Sequence, residues 1–177
     1  MDDVQRVDDA FDAGSVPHDA PEHMVRHTHE ATFNVQRPLR ECWCWLNAPN
    51  TFTEGQVWPY RVEFISPDNT VPNGFHVGVL NWHYGPFLDF AGVITAVNPM
   101  EYRDLKYFYG SFAVSPRLIR PTRLQFWTTG MNENSTEVRL QVDSLIRRRW
   151  VGSWSWMQER FWKRFPKWMT KAIPAAS

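Results

Sequence analysis

Three polar side chains occupy positions from which they could bind a ligand or move a proton. His83, Arg103 and Tyr107 lie in segments whose apolar residues alternate, so each side chain can point into a covered interior. Histidine exchanges a proton near neutral pH. Arginine and tyrosine can hold the acid or hydroxyl end of an otherwise apolar molecule. These three residues are therefore the catalytic or ligand-orienting candidates.

A structural alternative exists for each candidate. Arg103 could instead be exposed and paired with the neighbouring Glu101 or Asp104, which contributes little energy. A lone strand histidine such as His83 is often exposed or satisfied within a core. Tyrosines such as Tyr107 often form part of a wall with the hydroxyl reaching solvent. The sequence leaves these alternatives open.

Metal and cofactor chemistry have weaker signals. His27 and His29 share one strand face, but two imidazoles are fewer than the three or four protein ligands of a zinc site. We find neither a Gly-rich phosphate loop nor a nucleophile elbow. Cys42 and Cys44 are expected to point to different faces of a short helix, so they can neither form a disulfide with each other nor chelate a metal alone. We therefore expect reduced, structural thiols. We therefore predict no metal and no cofactor.

The composition excludes several classes of protein. The chain has 177 residues, of which 43% are hydrophobic, and it contains 12 Phe, 10 Trp and 5 Tyr. This is enough for one domain with a large core. Nineteen basic residues balance nineteen acidic ones, so no overall positive field favours nucleic acid. The acidic start lacks the features of a secretory signal, and no apolar run approaches the roughly 20 residues of a membrane span. We predict a cytoplasmic protein.

Charge is nevertheless segregated along the chain. Residues 1–30 contain eight acidic and two basic side chains, whereas residues 139–177 contain nine basic and two acidic ones. Residues 1–26 have few apolar side chains, and we expect them to form an acidic, mobile arm. Residues 27–177 would form the folded domain. Its basic, tryptophan-containing end is a candidate surface for peripheral contact with an anionic membrane.

The elements that must position the candidate residues follow from hydrophobic periodicity. Pro38 begins a short helix that ends at Leu46, where Ala48-Pro49-Asn50 interrupts it. Ser153 is expected to cap a long helix over 154–172, which Pro166 should bend. Seven extended segments with short, turn-rich linkers predict an antiparallel sheet. They span about 28–36, 57–66, 74–83, 87–98, 101–112, 121–130 and 135–149.

The order of these elements resembles that of a known superfamily. Phe33-Asn34-Val35, the 38–46 insert, the Trp58-Pro59-Tyr60-Arg61-Val62 strand, Gly74 with Gly78 and the aromatic closing helix carry the resemblance. The chain is similar over about 28–172 to the START-like or Bet v 1-like superfamily, also called SRPBCC. The resemblance implies an α+β helix-grip fold, in which a curved sheet wraps around a long C-terminal helix. It also implies a hydrophobic ligand between sheet and helix.

Three functions follow in order of preference. The first is non-covalent binding of a lipid, polyketide or aromatic metabolite. The second is a cofactor-independent cyclase or dehydratase that uses cavity polar groups. The third is a ligandless interaction domain for a membrane or protein partner, because the many aromatic side chains could instead fill the interior completely. The expected ligand-binding residues are Trp58, Tyr60, Phe75, Val77, Val79, Phe90, Leu105, Tyr107, Tyr109, Phe126, Leu140, Met157, Phe161 and Phe165.

Overall fold

A computed structural model describes residues 5–6, 20–50, 61–67, 70–84, 88–112 and 117–173. The strands are β1 (Gln5–Arg6), β2 (Met24–Val35), β3 (Arg61–Ile65), β4 (Leu80–Tyr84), β5 (Leu88–Asn98), β6 (Tyr102–Phe112), β7 (Ile119–Asn132) and β8 (Ser135–Arg147). The α-helices are α1 (Leu39–Asn47), α2 (Val151–Trp162) and α3 (Phe165–Ala172), with a 3-10 turn at Arg148–Trp150.

The strands form one antiparallel sheet in the order β2-β8-β7-β6-β5-β4-β3. These seven strands and the C-terminal helix confirm the predicted α+β helix-grip fold. The two-residue β1 also pairs with β5, placing Gln5 opposite Val97. Both β1 and the first three residues of β2 lie within the segment assigned above to the acidic arm. Residues 1–4 and 7–19 of that arm lie outside the described part of the chain, and its mobility stays a prediction.

Strand β8 shows why alternation predicts the covered face. Val138 and Leu140 are fully buried, whereas Arg139 between them is exposed. Successive side chains point to opposite faces of a strand, so this pattern places one face against the core. The prediction for this strand is confirmed.

The segment predicted as a strand at 74–83 is wrong over its first half. Residues 74–79 form bends and turns, and the strand begins at Leu80. Gly74 and Gly78 have φ values of 144° and 86°, which lie outside the extended range and suit glycine. The early part of the predicted 57–66 strand lies outside the described residues, and β3 supplies its second half.

Strand β5 departs from simple alternation as well. Its register against β6 shifts between Ala91 and Gly92 and again between Ile94 and Ala96. Such bulges rotate the following side chains, so that the consecutive Val93 and Ile94 are both buried. Gly92, one of the glycines expected to mark curvature, lies at the first of these shifts.

The closing helix is interrupted where Pro166 predicts a bend. Helix α2 ends at Trp162, two turn residues follow, and α3 begins with Phe165 and has Pro166 in its first turn. The predicted cap is wrong: Ser153 lies inside α2, because the 3-10 turn leads directly into that helix. The expected beginning of the helix at 154 is therefore three residues late.

The closing helix contacts two hydrophobic clusters, and Trp162 at the end of α2 shares the main core with α3. Phe165 and Met169 of α3 join the main core on the covered face of the sheet. Trp154 of α2 packs with Ile119 and Ile146 in a smaller cluster. Helix α1 contributes Cys42, Trp45 and Leu46 to the main core, whereas Cys44 is exposed.

Candidate functional site

Four polar side chains lie together on the covered face of the sheet. Strand β4 supplies Asn81 and His83, and β6 supplies Arg103 and Tyr107. Each pair shares a face because its members are two or four residues apart on a strand. Asn81, Arg103 and Tyr107 are at most 2% exposed. All three catalytic candidates predicted from the sequence are thus brought into one cluster, here called the polar cluster.

Gly92 makes room for this cluster. It pairs with Asn81 on one side and with Tyr107 on the other. A Cβ atom at Gly92 would clash with the Lys106 carbonyl oxygen and would lie 2.8 Å from Cδ1 of Tyr107. The missing side chain therefore lets the Tyr107 ring lie close above the backbone of β5.

His83 and Tyr107 contact each other edge to face. Their ring centroids are 5.4 Å apart and their planes are perpendicular. Burial lowers the pKa of His83 to about 3, and the Arg103 charge acts in the same direction. At neutral pH this imidazole is therefore uncharged.

Tyr107 is held in its protonated form. Burial raises the pKa of its hydroxyl well above the ordinary value, against the opposing effect of the Arg103 charge. The group is available at neutral pH as a hydrogen-bond donor. It is not a source of phenolate, so it suits orientation of a polar ligand atom better than nucleophilic chemistry.

Arg103 is a buried cation surrounded by aromatic rings. Its Cζ lies 3.9 Å from the ring centroid of Phe75 and 4.9 Å from that of Phe126. Its Nη1 donates to the Leu46 carbonyl oxygen and, at 3.2 Å, to Oδ1 of Asn47. Burial lowers the pKa of Arg103 to about 9, so the guanidinium is still charged at neutral pH.

The exposed, ion-paired alternative for Arg103 is wrong. Asp104 instead accepts two hydrogen bonds from Arg123, at 2.8 Å from Nε and 2.9 Å from Nη2. Adjacent strand residues point to opposite faces, so Asp104 cannot reach the guanidinium of Arg103. Among the described residues, no carboxylate lies within ion-pair distance of Arg103.

Asn81 is the polar-cluster residue that sequence reasoning missed. It is 1% exposed, and neither Oδ1 nor Nδ2 has a hydrogen-bond partner among the described residues. Leaving such a group unpaired costs about 1–3 kcal/mol. Its alternation with His83 is the sequence signal that could have identified it.

A pocket of about 380 Å³ is lined by two of the residues that contact Arg103. These are Asn47, which accepts a hydrogen bond from the guanidinium, and Phe75, which stacks on it, whereas Arg103 itself is not among the described lining residues. Asn47 is fixed in orientation because its Nδ2 donates to the Trp43 carbonyl oxygen at 2.9 Å. The other lining residues are Trp43, Pro49, His76, Val97 and Pro99.

The remaining predicted ligand-binding residues occupy different places. Of the predicted ligand-binding residues whose side chains the structure describes, Phe75 lines the pocket. Trp58 and Tyr60 lie outside the described residues, as do the side chains of Phe90 and Tyr109. Met157 packs against the smaller hydrophobic cluster. Val77 is half-buried, and the main core or its border contains Val79, Leu105, Phe126, Leu140, Phe161 and Phe165.

Aromatic rings fill the part of the interior beneath α3. Phe165 lies edge-on to Trp45, with 5.6 Å between centroids, and to Trp162, with 5.1 Å between centroids. Aromatic rings thus occupy the interior beneath α3, as the third of the functions considered from the sequence expected for the whole interior. The polar cluster lies elsewhere, on β4 and β6.

The two histidines considered for a metal are in a different environment. His27 Nε2 is 2.7 Å from the Ser155 hydroxyl of α2, which itself donates to the Val151 carbonyl oxygen. Burial lowers the pKa values of both His27 and His29. Within the described ranges, no three His, Cys, Asp or Glu side chains are grouped as a metal site would need.

None of the helices in the described parts of the chain combines the length and apolar character that crossing a bilayer needs.

Solved structures of low sequence identity share this fold. Norcoclaurine synthase from Thalictrum flavum, in complex with dopamine and hydroxybenzaldehyde, has a TM-score of 0.61 at 10% identity, covering 85% of this chain and 88% of its own. A START superfamily protein from Mycobacterium smegmatis has a TM-score of 0.63 at 10% identity, covering 83% and 97%. Ara h 8.0201 has a TM-score of 0.58 at 9% identity, covering 84% and 98%. No protein-family model and no curated protein matches the sequence.

The chain therefore has the helix-grip fold of Bet v 1-like and START proteins, as its sequence pattern predicted. Proteins with this fold commonly bind hydrophobic ligands. At this level of identity the comparisons define the fold alone, and the particular function must be argued from the site.

Proposed function

We propose that this protein binds a small hydrophobic or amphipathic molecule on the covered face of its sheet. A lipid, a polyketide or an aromatic metabolite has the required chemistry. The observation that carries the proposal is the Asn81 amide, which is buried and has no hydrogen-bond partner among the described residues. A polar atom of a bound molecule would remove that energetic cost.

The surroundings of Asn81 support an otherwise apolar ligand. Leu105 of β6 and Val79, which immediately precedes β4, are fully buried, and Phe75 lies beside Arg103. Burial of apolar ligand surface would contribute about 25 cal/mol per Å². The few polar groups would then orient the molecule rather than supply most of the affinity. The solved structure of norcoclaurine synthase with two aromatic molecules agrees with this class of ligand.

Mass spectrometry and a fluorescent probe test the proposal. Native mass spectrometry of freshly purified protein should reveal a carried molecule or, after its removal, one bound N-phenyl-1-naphthylamine per chain. Asn81→Leu should weaken dye binding while keeping or raising the free energy of unfolding, because it removes an unpaired buried amide. Asn34→Leu, on the exposed face of β2, is the matched control and should bind as the wild type does. A protein that carries nothing and does not bind the dye would contradict the proposal.

A second candidate is a cyclase or dehydratase. The observation in its favour is that His83, Arg103 and Tyr107 converge on one face, with a histidine ring in contact with a tyrosine ring. A neutral imidazole and a protonated phenol can accept and donate a proton to a bound chain. Turnover that is lost in His83→Ala and Arg103→Ala, with the fold retained, would favour this function over simple binding.

Membrane contact through the basic closing helix stays a prediction. Lys163, Arg164 and Lys167 are exposed near the helix interruption, and Trp156 is 61% exposed. Flotation with vesicles containing phosphatidylserine, at low salt, tests it. Absence of co-flotation under that condition would contradict the predicted membrane contact.

A further inference from the structure

Among the described residues, Arg103 has no carboxylate partner, whereas a buried cation normally has a counter-charge. Its side chain is 2% exposed, and its Nε has no hydrogen-bond partner among the described residues. Buried charged groups are usually paired, because removal from water is otherwise expensive. The acceptors found here, a carbonyl oxygen and an amide oxygen, are both formally neutral.

The other groups around Arg103 do not provide a negative charge. His83 on β4 and Tyr107 on β6 are the titratable members of the polar cluster, and both are neutral at pH 7. Leu46 lies at the C-terminal end of α1, whose dipole contributes roughly half a negative charge. This leaves part of the positive charge uncompensated.

A second arginine on the same sheet, Arg123, differs from Arg103 in having a carboxylate partner. Arg123 is partly exposed, and it nevertheless has a two-bond ion pair with Asp104. Asp104 is itself buried, on the face of the sheet opposite Arg103, and it pairs with the more exposed Arg123. The covered face keeps its cation and lacks a described anion.

Two neighbours of the guanidinium border space that a ligand can occupy. Asn47 and Phe75 contact Arg103 and line the pocket of about 380 Å³. Stacking on Phe75 and the bond to Asn47 fix the guanidinium plane. A preorganised arginine of this kind suits a planar acid group, which can accept two parallel hydrogen bonds.

From these observations we infer that the bound molecule carries an anionic group of the carboxylate type, which pairs with Arg103. The inference rests on the proposed function and narrows it from any amphipathic ligand to an apolar acid. The ligand supplies a negative charge that the described residues of the covered face do not provide, and Asn81 provides a neutral hydrogen-bonding group to another part of the molecule.

A pair of dyes that differ by one acid group tests the inference. 8-Anilino-1-naphthalenesulfonate is N-phenyl-1-naphthylamine with an added sulfonate, and both fluoresce when bound. Wild-type protein should bind the anionic dye at least about tenfold more tightly, the scale of one charged hydrogen bond. Arg103→Met should lose this preference while still binding the neutral dye. Arg139→Met removes an exposed arginine from the sheet and should keep the preference.

Competition on the wild-type protein gives a second measurement that does not depend on whether Arg103→Met folds. 2-Naphthoic acid should displace the anionic dye at least about tenfold more effectively than methyl 2-naphthoate. Equal binding of neutral and anionic molecules would overturn the inference and leave the proposed function intact. Binding of neither dye would instead overturn the proposed function, and the inference with it.

Discussion

The His83 ring meets the Tyr107 ring edge-on, with 5.4 Å between their centroids and 90° between their planes. This contact joins the middle of β4 to the middle of β6 across β5, which has Gly92 opposite Tyr107. A bulky residue at position 92 would prevent it. The polar cluster therefore depends on a backbone feature as much as on its own side chains.

The pH dependence of stability follows from the buried imidazole. The pKa of His83 is about 3 in the folded protein, compared with 6.5 for an unperturbed histidine. As pH falls, the unfolded chain thus binds a proton at this histidine before the folded protein does. The titration of His83 should therefore lower the free energy of unfolding below pH 6.5, by at most about 1.4 kcal/mol per pH unit. Burial of His27 and His29 acts in the same direction. Urea unfolding between about pH 8 and about pH 5 measures the effect.

His83→Gln should flatten this pH dependence, because the variant lacks the group that titrates differently in the two states. His76→Gln, which replaces an exposed histidine, should follow the wild-type curve. If His83→Gln and the wild type lose stability in parallel on acidification, the explanation is wrong.

Gly92→Ala should destabilise the protein by about 1–3 kcal/mol, the usual cost of forcing an extra group into a packed site. The reason is the clash of a new Cβ with the Lys106 carbonyl oxygen and the Tyr107 ring. Gly152→Ala is the matched control: a Cβ there meets nothing within 4 Å, and alanine favours the helix by about 0.5–1 kcal/mol. Equal urea midpoints for the two variants would contradict the packing described for β5 and β6.

Phe165→Ala should cost about 3–5 kcal/mol of the free energy of unfolding. This ring is 2% exposed and contacts Phe33, Trp45, Phe126 and Trp162, so its removal opens a cavity beneath α3. Trp156→Ala removes a larger ring that is 61% exposed and should change stability by about 0.5 kcal/mol or less. Similar losses in both variants would show that α3 is not packed as described.

The two thiols should react at very different rates. Cys44 is exposed, whereas Cys42 is buried and its burial raises the thiol pKa. With Ellman's reagent, native protein should release one equivalent of chromophore quickly, and guanidinium-unfolded protein should release two. Cys44→Ser should be silent in the native state. Rapid reaction of that variant would mean that Cys42 is not buried in the main core as described.

The local sequence pattern predicted the structure correctly where a residue's environment depends on its own strand or helix. Alternation in β8 predicted the buried Val138 and Leu140, and Pro166 predicted the interruption between α2 and α3. It failed at Gly74 and Gly78, whose positive φ values end the extended pattern, and at Ser153, because a 3-10 turn precedes α2.

The burial of Arg103 could not be predicted with the same confidence as these elements, because it depends on residues distant in sequence. Asp104 forms its ion pair with Arg123 of β7, and the Arg103 guanidinium donates a hydrogen bond to the end of α1. Neither contact has a local sequence signal. The sequence identified Arg103 as a candidate, but only the three-dimensional arrangement reveals that it is a cation without a described carboxylate partner.

The division of the closing helix has an energetic consequence. Trp154 and Phe165 belong to separate hydrophobic clusters, so truncations at the two sites should be additive, within about 0.5 kcal/mol. The beginning of α2 is thus anchored separately from α3, whereas Trp162 at the end of α2 shares the main core with Phe165. A substitution that loosens the Trp154 cluster should therefore leave α3 and the end of α2 attached to the sheet.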